Sequence, residues 1–433
     1  LEGPGEVGGG PERVVVDSRL AGPGDLFVAL RGASTDGGLF VRDALAGGAW
    51  GAIATPAHLE SVAADGVLIA SDDPLAAIGR LAREWRRELG AQVVAITGSS
   101  GKTSTKAILL SLLSTEVRTA GSPSNHNTEI GLPLAVLAAP PGTEVLVLEL
   151  AMRGAGQIAE LTAICEPDVG VVVNVGPAHL ELLGSLEAIA AAKGELLEGL
   201  ADGATAVVPA GEARLEPFLR EGLQVLRFGP GGDVELLDSR ADGVEFSLAG
   251  RRIMLQPPFR SAHMLLDLGA ALAATVALGV EVAAGELEVR FEQLRGEHVE
   301  LEGGVVVIND CYNANPMSMR AALDELARTP ASRRVAVLGD MLELGSLHER
   351  RYHRELGEQA LAAGVGLLVT VGERAGWAGE SFVSSGGGEH LHADDAAQAA
   401  ALLAPRLHAG DAVLVKGSRR VALELIAERL AQR

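Results

Sequence analysis

Cysteine is nearly absent: Cys165 and Cys311 are the only two in 433 residues. That excludes a disulfide scaffold and a zinc site built on paired thiolates, and it fits a reducing, cytoplasmic setting. Aromatic residues are also scarce at 3%, so the cores must be built from the Ala, Val and Leu within a 48% hydrophobic fraction, a composition suited to packed α/β layers. Positive charge is in deficit, with 36 Lys and Arg against 57 Asp and Glu and a formal net charge of −21. Phosphate neutralisation needs a surplus of Lys and Arg, so no nucleic-acid partner and no anionic membrane surface is expected; an anionic ligand must be held by a local pocket. Long apolar runs are missing too. The Ala-rich stretch from Asp267 to Glu281 is the longest candidate and falls short of the roughly 20 residues that span a bilayer, so no transmembrane segment is expected. The chain opens at Leu1 and is glycine-rich from Gly3 to Gly10, without the charged and apolar regions of a signal peptide; the expectation is a trimmed N-terminus.

What is present is length enough for two to four domains, with 55 glycines to supply turns. Three segments are expected, 1–90, 91–303 and 304–433. In the first, short β-like runs at Arg13 to Val16 and Leu26 to Leu30 precede a helix from about Pro74 to Leu89. Its Leu75, Ile78, Leu81, Ala82 and Trp85 recur at helical spacing before a capping Gly90. From Gln92 onward the character changes to near-continuous aliphatic runs, Val93 to Thr97, Glu144 to Leu150 and Val169 to Val175, of the kind buried on both faces of a parallel sheet. The third segment repeats the pattern at Val305 to Ile308, Arg334 to Leu338, Leu367 to Val371 and Ala412 to Val415, and reads as a second doubly wound unit.

The strand Val93 to Thr97 runs into Gly98-Ser99-Ser100-Gly101-Lys102-Thr103-Ser104, and Thr105 to Leu113 is expected to be helical. Strand, glycine turn and helix stand in the order a phosphate cradle requires: backbone N–H groups close on phosphate oxygens, Lys102 reaches the β- and γ-phosphates, and Thr103 offers its hydroxyl to Mg²⁺. Ile96 stands where the general motif has its first glycine. Downstream, Glu149 falls near the C-terminal end of a strand, where α/β sheets place ligands, and His179 follows another strand in Asn174-Val175-Gly176-Pro177-Ala178-His179. Lys193, on a helix that starts at Ser185, would by spacing alone belong to a solvated face.

These motifs, with Asn125-His126-Asn127-Thr128-Glu129-Ile130-Gly131-Leu132-Pro133 and Ala192-Lys193-Gly194-Glu195, resemble the central ATPase domain of the Mur ligase family. Asp17-Ser18-Arg19, Pro23 to Leu30 and Asp36-Gly37 resemble that family's N-terminal domain. Asp310-Cys311-Tyr312-Asn313-Ala314-Asn315-Pro316, Gly339 to Gly345 and Lys416-Gly417-Ser418-Arg419 resemble the branch that adds D-alanyl-D-alanine.

The resemblance implies three α/β domains: an N-terminal UDP-sugar-binding domain, a central P-loop parallel-sheet ATPase domain and a C-terminal Rossmann-like domain. It implies an ADP-forming ligase in peptidoglycan precursor synthesis that joins UDP-N-acetylmuramoyl-tripeptide to D-alanyl-D-alanine through an acyl phosphate, as a cytoplasmic monomer. ATP and Mg²⁺ would be used. Gly98 to Ser104, Asp267, Asp310 and Asn313 would contact the nucleotide, and Ser18, Arg19, Asp36, Asn127 and Thr128 the substrate. Thr103, Glu149, His179 and a carbamylated Lys193 would hold metal, Lys102, Glu149, His179 and Lys193 being the catalytic set.

Departures from the family pattern are Met264 and Asp267 where two asparagines help seat adenine, and Glu297 after Gly296, with Arg295 displaced by one. Gly38 stands at a common histidine position and Asn309 at a common aspartate. The rival readings are another branch of the family, a folylpolyglutamate synthase, or a regulatory module that binds ATP without ligation.

Overall fold

The computed structural model describes residues 9–431 except 61, 63–65, 124–125, 292–293, 295 and 302. Most of the Gly3–Gly10 stretch, Asn125 and Arg295 therefore lie outside the described residues. Three sheets follow one another along the chain. The first has four parallel strands in sequential order, Arg13–Val15, Asp25–Val28, Gly51–Ala54 and Val67–Ala70. Helix Pro74–Leu89 follows; Asp73 caps its start by accepting from the Ala76 N–H, Pro74 fills the first turn, and Gly90 closes it at φ 62°, the left-handed conformation glycine adopts without strain. Ile78 and Ala82 are fully buried on its inner face, and burial of an Ile side chain contributes about 1.5–3 kcal/mol. The helix also reaches the middle of the molecule. Trp85 Nε1 donates to the Ala139 carbonyl at 3.2 Å, and Arg86 donates to the carbonyls of Cys165 and Glu166 and to Asp168.

The second sheet has ten strands. Its P-loop strand, Gln92–Thr97, lies between Val145–Glu149 and Val169–Val172, parallel to both. Successive connections leave on opposite sides of this strand, so a crevice opens at its C-terminal end, where doubly wound sheets bind ligands. The sheet is not parallel throughout. Val234–Arg240, Gly243–Leu248 and Arg251–Gln256 form an antiparallel meander that extends it on the side away from the P-loop. The third sheet has six strands, all parallel except the edge strand Glu297–Leu301, which runs antiparallel to Val305–Asn309.

Two boundaries differ from expectation by three residues. The run Val169 to Val175 leaves the sheet after Val172, because Asn174 turns to hold the phosphate loop instead of a neighbouring strand. The helix after the P-loop starts at Lys102, three residues before Thr105, with Gly101 at φ 77° as its N-cap. That helix, Lys102–Leu113, packs against the Ala-rich helix Ala262–Ala277, whose small residues permit close approach. Among the described residues no helix is long and apolar enough to cross a membrane.

Candidate active site

The P-loop is shaped by two glycines that cannot be replaced cheaply. A Cβ at Gly98 would press on the Ser100 carbonyl and Val173, and one at Gly101 would collide with the Asp267 carboxyl. Lys102 Nζ folds back to the Gly98 carbonyl at 2.9 Å, across the mouth of the loop. Behind it, Asn174 Oδ1 accepts from the N–H groups of Ser99 and Ser100 at 3.1 and 3.0 Å, and its Nδ2 donates to the Ser100 carbonyl. Ser99 Oγ bonds both the N–H and the carbonyl of Gly176 at 2.9 Å. The loop is thus pinned from the side of the Asn174–His179 turn; Asn174 had been read only as part of a motif. Ser104 lies in the first turn of the helix that follows.

Glu149 is 5% exposed and is shared by three groups: Thr103 Oγ1 donates to Oε2 at 2.8 Å, Asn127 Nδ2 to Oε1 at 3.0 Å, and Lys106 Nζ lies 3.8 Å from Oε2. A buried carboxylate with an adjacent hydroxyl at the foot of a phosphate loop is a donor set of hard oxygens, which fits Mg²⁺. Lys106 carried no expectation, although its place one turn beyond Lys102 on the same helix was a usable signal. Thr128 enters through its backbone, its carbonyl accepting from the Leu132 N–H.

Lys193 overturns the reading of its helix as having a solvated lysine. In helix Leu186–Glu198 it is 1% exposed, and among the described residues it has no hydrogen bond or ion pair. Burial, reinforced by the nearby charge of Lys102, pushes its pKa well below the usual lysine value, so the amine is held toward its neutral form. Asp267 shows the mirror effect: it is buried against Gly101, and desolvation raises its carboxyl well above the usual range.

His179 adopts φ 59° and its Nδ1 meets Glu343 Oε2 of the third segment at 2.6 Å, which holds the Glu343 carboxyl below its usual pKa. Among the described residues no group of three or more His, Cys, Asp and Glu side chains stands within joint reach of a metal ion. In the third segment Asp310 is paired with the buried Lys416 at 2.6 Å, and Lys416 also donates to the Asn313 carbonyl. The half-buried His263, at the start of the Ala-rich helix, lies within the electrostatic reach of both Asp310 and Lys416, so the second and third segments face each other at this point.

The N-terminal residues lie on another surface. Asp17 caps the turn Ser18–Leu20 and pairs with Arg19 at 2.6 Å, and its pKa falls to about 2 through that hydrogen bond. Asp36 caps Gly37–Phe40. Gly38 has no room for a side chain because the His58 ring fills the space above it, with Nδ1 2.8 Å from Thr55 Oγ1 and Nε2 3.7 Å from Asp36.

Comparison with known proteins agrees with this layout along the whole chain. Residues 12–86 match the Mur ligase family catalytic domain, 96–275 the Mur ligase middle domain, and 290–419 the Mur ligase glutamate ligase domain. The UDP-N-acetylmuramoyl-tripeptide–D-alanyl-D-alanine ligase of Bacillus subtilis is 32% identical, covering 97% of this chain and 93% of the relative; that of Escherichia coli is 33% identical over 97% and 94%. The crystal structure of MurF ligase from Thermotoga maritima in complex with ADP superposes with a TM-score of 0.85 at 33% identity, covering 97% of both chains. With its three sheets in the same order, a phosphate loop at the centre and relatives matched nearly end to end, the chain belongs to the Mur ligase family.

Proposed function

We propose that this protein is the ATP-dependent ligase that adds D-alanyl-D-alanine to UDP-N-acetylmuramoyl-tripeptide, forming ADP and phosphate in peptidoglycan precursor synthesis. The observation that carries this reading is the Thr103–Glu149–Asn127 cluster under a pinned P-loop, in a chain aligned over nearly its full length with ligases of that name. In the first step a carboxylate oxygen of the tripeptide attacks the γ-phosphorus; the new P–O bond forms as the bond to ADP breaks. Lys102 and the N–H groups of the loop meet the charge that spreads over the phosphoryl oxygens. In the second step the dipeptide amine attacks the acyl carbon, a C–N bond forms, phosphate leaves and the amine loses a proton.

Thr103 and Glu149, with His179 and a carbamylated Lys193, would hold Mg²⁺, which when bound neutralises charge on the transferring phosphoryl group. His179 keeps Nε2 for that role while Glu343 engages Nδ1. A neutral Lys193 is the form that can add CO₂: the amine nitrogen bonds to carbon, a proton is released, and the product is a carboxylate-like group in place of an ammonium. Burial favours the neutral form of Asp267, which offers both a donor and an acceptor as an amide does, and this makes its substitution for asparagine at the nucleotide a mild one. Asp310 and Asn313 complete the nucleotide side from the third segment. Ser18, Arg19 and Asp36 serve the UDP end, where Arg19 is exposed to meet a diphosphate. The cytoplasm, where ATP and both substrates are made, is the compartment in which this chemistry runs.

The test is to incubate the protein with Mg-ATP, UDP-N-acetylmuramoyl-tripeptide and D-alanyl-D-alanine, single amino acids or glutamate, following phosphate and peptide products. Pentapeptide is expected with the dipeptide alone; phosphate released equally without any amine sinks the reading.

A further inference from the structure

Among the described residues the P-loop accepts a side-chain hydrogen bond from the third segment. Asn315, at the head of helix Pro316–Arg328 in the third segment, donates from Nδ2 to the Ser99 carbonyl at 3.1 Å. Its amide is not free to turn. Oδ1 caps the helix by accepting from the Ser318 N–H at 2.9 Å, Ser318 Oγ returns the bond to the Asn315 backbone, and Pro316 fixes the first turn. The cap therefore sets the plane of the amide and leaves Nδ2 aimed at the loop. One residue past that proline, Met317 lies against Gly176, its thioether in the space that a side chain there would enter. Gly176 is the residue whose N–H and carbonyl hold Ser99 Oγ. Asn315 and Met317 thus press on the two sides of one unit, Ser99 with Gly176.

We propose that Asn315 is a positioning residue for phosphoryl transfer: it makes the working shape of the P-loop conditional on docking of the third segment. This rests on the ligase reading and deepens it. The acyl phosphate has to be kept from water until the amine arrives, and a loop that takes its reactive shape only when the third segment is seated ties the first chemical step to closure. The contact goes to the carbonyl of Ser99 and so occupies none of the loop's N–H groups; Asn315 is needed for turnover and not for holding nucleotide.

Asn315→Asp separates these roles, because aspartate keeps the cap acceptor and loses the Nδ2 donor. Wild type and variant are compared for melting temperature, ADP affinity by calorimetry, kcat and KM for ATP, and pentapeptide formed per phosphate released. The expected result is an unchanged melting temperature and ADP affinity with kcat lower by about tenfold, the loss that follows one hydrogen bond, and fewer amides made per ATP consumed. Asn315→Ser, which also keeps the cap, should behave alike and serves if the aspartate variant folds poorly. Wild-type kcat and coupling in both variants would overturn the proposal, as would a defect confined to KM for ATP. Failure of the wild-type chain to make the amide would instead defeat the ligase reading, and this inference with it.

Discussion

The central and C-terminal sheets share a parallel core, yet they treat part of their buried charge in opposite ways. At the C-terminal sheet each buried charge has its partner: Lys416 with Asp310, Arg333 with Asp411, and Asp340 accepting from the Ala375 N–H at 2.7 Å. His353 uses both nitrogens, accepting from the Met341 N–H at one and meeting the Glu349 carbonyl at the other. Around the P-loop, Lys193 and Asp267 are as deeply buried and show no such partner among the described residues. Burial without pairing is costly, so at Lys193 and Asp267 it persists where a ligand supplies what is missing. Fold alone does not separate a site from its support; the state of the buried charges does.

That contrast can be broken at its strongest point first. Lys102→Ala and Lys193→Ala should each lower kcat by about a thousandfold or more, since both act on charge that develops at the phosphoryl group. Thermal melts should stay close to wild type, and retained turnover in either variant would remove that residue from the site. On the scaffold side, Lys416→Met should cost roughly 3–5 kcal/mol in urea unfolding, because Asp310 would be left without its buried partner. A loss below 1 kcal/mol would show that pairing there matters little.

Asp267→Asn sharpens the comparison through pH. The folded state raises the Asp267 pKa, so wild-type stability is whole below the unfolded value and is lost as pH rises through the folded one. The variant should melt roughly 2–4 °C above wild type at pH 8 and gain little near pH 4; an equal gain at both pH values would contradict a neutral carboxyl. Glu343→Gln should have the smallest effect on stability. Its pKa is lowered mainly by the His179 hydrogen bond, so its contribution is present above the unfolded value and is lost as pH falls through the folded one. The pair is partly exposed, which limits the loss at pH 7 to about 1 kcal/mol or less.

Much of this was legible in the chain itself. The aliphatic runs locate the parallel strands, Gly90 ends its helix as expected, and the Gly98–Gly101 turn lies between strand and helix. The meander at 234–256 does not announce itself by long apolar runs, because its second and third strands alternate buried and more exposed residues; period-two spacing and the Ala241-Asp242 and Ala249-Gly250 turns are its signal. The burial of Lys193 was hidden because a lysine on an amphipathic helix reads as solvated by default, and only the tertiary placement of that helix reverses it. Glu343 and Asn315 act across segments more than 160 residues apart, a pairing that spacing along a single chain does not encode.

Helix Pro74–Leu89 bears on how the molecule can move. Its 16 residues form a strut about 24 Å long. One flank is embedded beneath the first sheet, and the far end is bolted through Trp85, Arg86 and Arg87 to loops of the second. A rod secured in this way transmits displacement and does not absorb it. The first two sheets are therefore coupled through this one rod.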